Sequence, residues 1–222
     1  SYTAVWQANT YTLTLDANGG TCDAETVTVT YDSVPVLPTP VWAGHTFSGW
    51  YCGTKAYGST AYVEDSDLTL TAAWDLIWYP VTYHLNGGKN AANNVSTYNV
   101  RTGLFLSAPT RKGYTFVGWT HTGHDTPEKD VSLPAGTIGA QEFTATWQAN
   151  TYTVTLNVNR GTCEVNTIEA TFDSPVALPT PSRVGYDFIG WYLGDTVYRG
   201  DIWALDTATT LVARWQAKTD IT

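Results

Sequence analysis

The sequence predicts a mainly β protein built from three tandem modules. Three observations carry that reading. Four short blocks recur three times in the same order. Within those blocks apolar and polar residues alternate with a period of two. The composition favours strands: of 222 residues 14% are aromatic and only 14% charged, and Met is absent. Thr, Tyr, Trp and Val fit a pleated, half-buried surface. A disordered chain would instead combine few aromatics with high net charge.

The opening block reads TYTLTLDANGGTC from Thr10 to Cys22, WYPVTYHLNGGKN from Trp78 to Asn90, and TYTVTLNVNRGTC from Thr151 to Cys163. Tyr11, Leu13 and Leu15 alternate with threonines, as do Tyr79, Val81, Tyr83 and Leu85, and Tyr152, Val154 and Leu156. This pattern reads as a half-buried strand. Asn18-Gly19-Gly20, Asn86-Gly87-Gly88 and Asn159-Arg160-Gly161 follow, and such residues tolerate the positive φ of a tight turn. A second strand is expected over 26–31, 95–98 and 167–172. The proline-bearing segment after it (LPTP from Leu37 and Leu178, SAPT from Ser107) cannot lie in a central strand or a helix interior. A third strand carries the Gly-Trp pair, with Trp50, Trp119 and Trp191. A fourth closes the unit at Trp74, Trp147 and Trp215, and Leu68, Leu70, Ala72 and Trp74 read as one face of it. No window of ten or more residues has helical periodicity.

The closing tryptophans, with Trp6 ahead of them, recur roughly every 70 residues, which is the spacing of a tandem array. Modules that small gain from stacking on a neighbour. The boundaries expected are 9–77, 78–149 and 150–217. Residues 1–8 read as the closing strand of a preceding repeat and 218–222 as a linker to a following segment, so the parent protein is expected to extend both ways. The extra residues of the second unit, Thr120–Gln141, read as a loop.

The pattern TYTVTL, N-x-G-T, LPTP, GY-x-F-x-GWY and LTA-x-W resembles the Listeria–Bacteroides repeat, also called the internalin B-repeat, over essentially the whole chain. The resemblance implies a β-grasp-like module, a ubiquitin-like sheet with its helix reduced or absent. It also implies tandem arrays on secreted or cell-wall-attached bacterial proteins. The second unit departs from the pattern at SAPT and at Thr120, which replaces the final Tyr of GWY.

The function classes excluded are as informative. Net charge is −9 and no Lys/Arg cluster occurs, so a nucleic-acid footprint is missing. An acidic surface is also repelled by anionic membranes, and no direct membrane insertion is expected. There is no GxSxG elbow, HExxH, Walker loop or GxGxxG. No polar constellation repeats between units, so no catalytic residue, cofactor or metal is nominated. The lysines Lys55, Lys89, Lys112, Lys129 and Lys218 do not recur in register, which argues against self-crosslinking through isopeptide bonds. His121, His124 and Asp125 form the nearest thing to a metal motif, but a zinc site wants a third ligand of defined geometry. Glu64, Asp65 and Asp67 lack calcium-loop spacing and read as a solvated turn.

Three groups of residues remain as candidates. Trp50, Trp74, Trp119, Trp147, Trp191 and Trp215 repeat and are expected in the core, where aromatics supply large buried area. Trp42, Trp78 and Trp203 do not repeat in the alignment and are candidates for stacking on a sugar ring. Cys22 and Cys52 are a candidate disulfide within the first unit, with buried free thiols as the alternative, since spacing cannot supply the Cα separation that decides it. The leading functional expectation is a monomeric, elongated, non-enzymatic spacer or stalk at the bacterial cell surface, partnered by its own neighbouring repeats. An adhesive module for host protein or glycan and an accessory module of a secreted hydrolase are the alternatives.

Overall fold

A computed structural model describes residues 1–219. The expected linker at 218–222 therefore lies partly outside the described residues. The described residues contain seventeen strands: β1 Thr10–Asp16, β2 Thr26–Thr30, β3 His45–Cys52, β4 Lys55–Tyr57, β5 Leu68–Leu76, β6 Tyr79–His84, β7 Thr97–Tyr98, β8 Leu104–Phe105, β9 Tyr114–His121, β10 His124–Glu128, β11 Ser132–Leu133, β12 Gln141–Ala149, β13 Thr151–Asn157, β14 Thr167–Thr171, β15 Tyr186–Leu193, β16 Thr196–Val197 and β17 Thr209–Ala217. No helix occurs among the described residues, so none is long and apolar enough to cross a membrane. The protein is mainly β.

Three five-stranded sheets share one order. The first is β2-β1-β5-β3-β4 and the third β14-β13-β17-β15-β16; the middle sheet is the same read from its other edge, β10-β9-β12-β6-β7. In the first sheet the first and last strands run parallel at the centre, from Leu13 opposite Leu68 to Asp16 opposite Thr71, and the third repeats this from Val154 opposite Thr209. The other pairs of these two sheets are antiparallel. This is the β-grasp order. The crossover from β2 to β3 carries Pro35, Pro38 and Pro40, and that from β14 to β15 carries Pro175, Pro179 and Pro181. Each lacks the N–H a helix interior needs, so the crossovers run as irregular chain.

The period-2 alternation does what it predicts. In β1 Leu13 and Leu15 are buried while Thr12 and Thr14 are exposed, and β13 repeats this with Val154 and Leu156. The third strand of every repeat breaks its alternation once. The register shifts between Phe47 and Gly49, between Thr146 and Trp147 opposite Gly118 and Phe116, and between Phe188 and Gly190. Residues three apart on a regular strand face opposite ways. One extra residue restores the phase, so Phe47 meets Trp50 edge-on at 5.6 Å, Phe116 meets Trp119 at 5.4 Å and Phe188 meets Trp191 at 5.7 Å. Trp50, Trp119 and Trp191 are buried, and the indoles of Trp50 and Trp191 donate to the carbonyls of Pro38 and Pro179, both at 2.8 Å.

The turn after each first strand is closed by the tryptophan of the last. Trp74, Trp147 and Trp215 donate to the carbonyls of Ala17, Leu85 and Val158 at 3.0, 2.9 and 3.1 Å. Their rings lie so close to Gly20, Gly88 and Gly161 that a Cβ would come within 2.5, 2.5 and 2.4 Å of the indole. Asn18, Asn86 and Asn159 hold φ of 47°, 48° and 45° and donate their side-chain amides to the carbonyls of Ala72, Ala145 and Ala213. The Asn and the final Gly are thus required, and the middle position is free to be Gly19, Gly87 or Arg160.

Residues 2–8 form no strand, and Tyr2, Val5 and Trp6 are exposed. The stretch 120–141 is not a plain loop. It extends the β9 hairpin through β10, which pairs His124 with His121, and supplies β11, which pairs with β8.

The described residues form two compact units. One comprises Ser1–Val81, Val95–Phe105 and Ser132–Gln141; the other comprises Thr82–Asn94, Leu106–Val131 and the chain from Glu142 onward. The first has its apolar centre in Leu13, Leu15, Val29, Trp50, Tyr62 and Leu70, and the second has an equivalent centre in Val154, Leu156, Ala170, Trp191, Trp203 and Leu211. Replacing Trp191 by Ala removes a buried aromatic and orphans the Pro179 carbonyl. It is expected to cost about 3–5 kcal/mol, the same order as the whole stability of a module this size. Chemical denaturation followed by amide NMR should find the third repeat unfolded and the first intact. A loss under about 1 kcal/mol, below the range for buried aromatics, would contradict the core assignment.

Candidate functional site

The junctions between repeats are the most elaborated sites in the chain. Within the second compact unit the closing strand β12 passes into β13 through one residue, Asn150. Its N–H donates to the carbonyl of Gly113 at 2.9 Å and its carbonyl accepts from the N–H of Phe172 at 2.9 Å. Its side-chain oxygen accepts from the Thr115 hydroxyl at 2.5 Å, and its amide nitrogen donates to the Tyr152 hydroxyl at 3.3 Å. One linker residue therefore ties the second repeat to the third by backbone and side chain.

Around Asn150 the two repeats interlock. Phe172 lies against Gly113, where a Cβ would fall 2.3 Å from its ring, and Gly113 holds φ of 76°. Tyr114 packs edge-on to Phe172 at 5.7 Å and donates its hydroxyl to Asp173 at 2.8 Å. That bond to a carboxylate raises the Tyr114 phenol above its ordinary pKa. The Arg111 guanidinium lies over the same ring, 3.6 Å from its centroid. Lys112 reaches Asp206 at 3.6 Å. Within the first compact unit the junction is built alike: the Ile77 N–H donates to Gly44, and Val100 occupies the place of Phe172, so that a Cβ on Gly44 would fall 2.0 Å from its methyl. Gly44 holds φ of 78°. Lys218 donates to Gly185 in the same way.

Tyr31 aligns with Val100 and Phe172, and it is 42% exposed where Phe172 is 8% exposed. Val184, beside Gly185, is fully exposed.

The structure disperses the sequence candidates. Trp42 stacks on His45 at 3.8 Å, meets Trp74 edge-on at 5.7 Å and lies against Gly19. It takes the place that Arg111 holds over Tyr114 and Arg183 over Tyr186, so one ring face is already occupied. Trp203 is fully buried. It matches Tyr62: the carbonyls of both accept from the second residue after the second strand of their repeat, Asp32 or Asp173, and both pack in the core. The alignment missed the pair because Tyr and Trp differ, and a buried indole cannot stack on a sugar. Trp78 is exposed and borders a groove of about 270 Å³ with Val95, Tyr98, Leu104 and Phe105. Cys22 and Cys52 are free thiols, each half-buried against the apolar cluster of the first repeat rather than bonded to the other. Glu64 pairs with Lys55 and accepts from the Tyr57 hydroxyl, which lowers its pKa, and Asp67 accepts from the Thr12 N–H. These carboxylates are engaged separately. His121 and His124 do come together, with Glu128 rather than Asp125.

A family model for the Listeria–Bacteroides repeat domain matches residues 11–73, 79–138 and 152–214. The chain belongs to this family. Among curated proteins it is 31% identical over 85% of its length to a protein of Evansella cellulosilytica named as a Gly-rich membrane protein, and 30% identical over 96% to another of that organism named as a membrane protein. It is 32% identical over 58% of its length to internalin H of Listeria monocytogenes. The chain spans between 22% and 32% of the length of these relatives. In these Listeria–Bacteroides repeats the glycine of the GY or GH turn is the receiving surface of the junction, and the residue following the second strand is its plug.

Two glycine substitutions separate junction from local strain. Gly113→Ala and Gly194→Ala both place a methyl at positive φ, 76° and 60°, but only Gly113 faces a ring. The conformation should cost each about 1–2 kcal/mol. Crowding should add about 1–3 kcal/mol at Gly113. A double-mutant cycle of Gly113→Ala with Phe172→Ala should return a coupling of about 0.5–3 kcal/mol, the double variant being less destabilised than the sum. Additive effects in denaturant unfolding would remove the contact.

Proposed function

We propose that this repeat region is a non-enzymatic spacer of a bacterial surface protein, partnered by its own neighbouring repeats. The observation that carries the reading is the junction at Asn150, where a single residue serves both repeats and leaves little freedom for hinge motion. A stalk needs that property, because stacked repeats transmit position through nearest-neighbour interfaces. The membrane-protein names of two relatives and the internalin name of a third support placement at the cell surface. Small-angle scattering on the 222-residue chain tests it. The spacer reading expects a radius of gyration well above the roughly 17 Å of a compact globule of this length. A compact value would overturn it.

One observation favours a second reading, an adhesive module. Trp78 and Phe105 are 59% and 64% exposed on one groove, and aromatic surfaces of that kind take sugar rings or extended peptides. Saturable binding on a glycan or host-protein array that Trp78→Ala abolishes would put adhesion first.

A further inference from the structure

We propose that the β9–β10 hairpin of the middle repeat is a binding site for a borderline divalent transition metal, zinc in the first place, with His121, His124 and Glu128 as ligands. The hairpin turns through two residues, Thr122 and Gly123, and sets His121 opposite His124. Directly opposed residues on one face of an antiparallel pair have neighbouring side chains. The two imidazoles stack, with centroids 4.4 Å apart and planes 22° from parallel.

The third ligand comes from farther along β10. The register is irregular between His124 and Glu128, which brings Glu128 opposite Trp119. Its backbone runs so close to Gly118 that a Cβ there would fall 2.6 Å from the Glu128 nitrogen. The carboxylate stands 3.5 Å from His124 Nδ1, and one ligand atom from each of the three residues lies within 4.8 Å of the others. Tetrahedral zinc with bonds of about 2.0–2.1 Å separates its ligands by about 3.3 Å. The His124–Glu128 edge already meets that distance, and half-exposed side chains can close the remainder by rotation. Asp125, next to His124 on the strand, is not part of this cluster; it lines a shallow pocket with Thr120, His121, Thr122, Glu142 and Thr144.

The donor set also has the right chemistry. Two imidazole nitrogens and one carboxylate oxygen suit zinc, with a fourth position for water. His121 is anchored from behind, its ring 5.4 Å from that of the fully buried Phe143. The scaffold is common to all three repeats but the ligands are not. The corresponding pairs are Cys52 with Lys55 and Leu193 with Thr196, and β10 is longer than β4 or β16. The middle repeat alone carries both the residues and the extension that presents them.

Titration calorimetry with zinc chloride on the tag-free 222-residue chain tests the proposal, with cobalt(II) absorption as a second readout of coordination. One ion per chain should bind saturably. His121→Ala, His124→Ala and Glu128→Gln should each weaken binding by at least about tenfold and bleach the cobalt bands. His84→Ala removes the other His–Glu pair, His84 with Glu142 at 3.7 Å, and should change neither. Circular dichroism verifies that the variants fold, and Glu128→Gln preserves side-chain shape. No saturable zinc binding, or binding that survives His124→Ala and Glu128→Gln unchanged in folded protein, would overturn it.

Discussion

Each whole repeat depends on one clamp, in which the turn after the first strand is gripped by the tryptophan of the last. The first and last strands must lie side by side and parallel, yet some fifty residues separate them in sequence. Closing a segment that long costs chain entropy before any contact repays it. The clamp answers this at one point. The indole donates to a turn carbonyl, the Asn amide donates back to the closing strand, and the final Gly leaves room for the ring. The turn carbonyl accepts from both the final Gly N–H and the indole, so one acceptor ties the turn to the closing strand. Without the glycine the ring could not approach, and without the ring the parallel pair would rest on strand hydrogen bonds alone.

The junctions reuse the same economy. The linker residue donates its N–H backward to a glycine carbonyl, and Asn150 gives its own carbonyl forward to the next repeat. Because that glycine has no side chain, the plug of the next repeat, Val100 or Phe172, seats against bare backbone. Stability in such an array is carried by intrinsic repeat terms and nearest-neighbour interfaces.

The middle repeat varies where variation is tolerated. Ser107 stands where the other repeats carry Pro38 and Pro179, and its carbonyl accepts from Asn94 rather than from a tryptophan. The buried Trp119 nitrogen has no hydrogen-bond partner among the described residues. The changes fall in the crossover and in the edge hairpin, while the paired central strands keep their order. The paired histidines sit on that edge, where a longer strand disturbs nothing in the core.

The sequence by itself determined the repeat, its period and its strand-rich class, because spacing and alternation are one-dimensional signals. The N-x-G turns were legible too, since positive φ restricts residue choice. The reasons those residues are needed were not legible. That Gly20 faces an indole, that Gly113 faces Phe172, and that Trp203 and Tyr62 fill one position depend on contacts between residues far apart in the chain. The bulge that puts Phe47 and Trp50 on one face left no mark on composition. The choice of Glu128 over Asp125 beside the histidines followed from strand register. Those points only the tertiary structure decided, because register and burial are set by packing between strands, and a single chain read end to end carries pattern but not proximity.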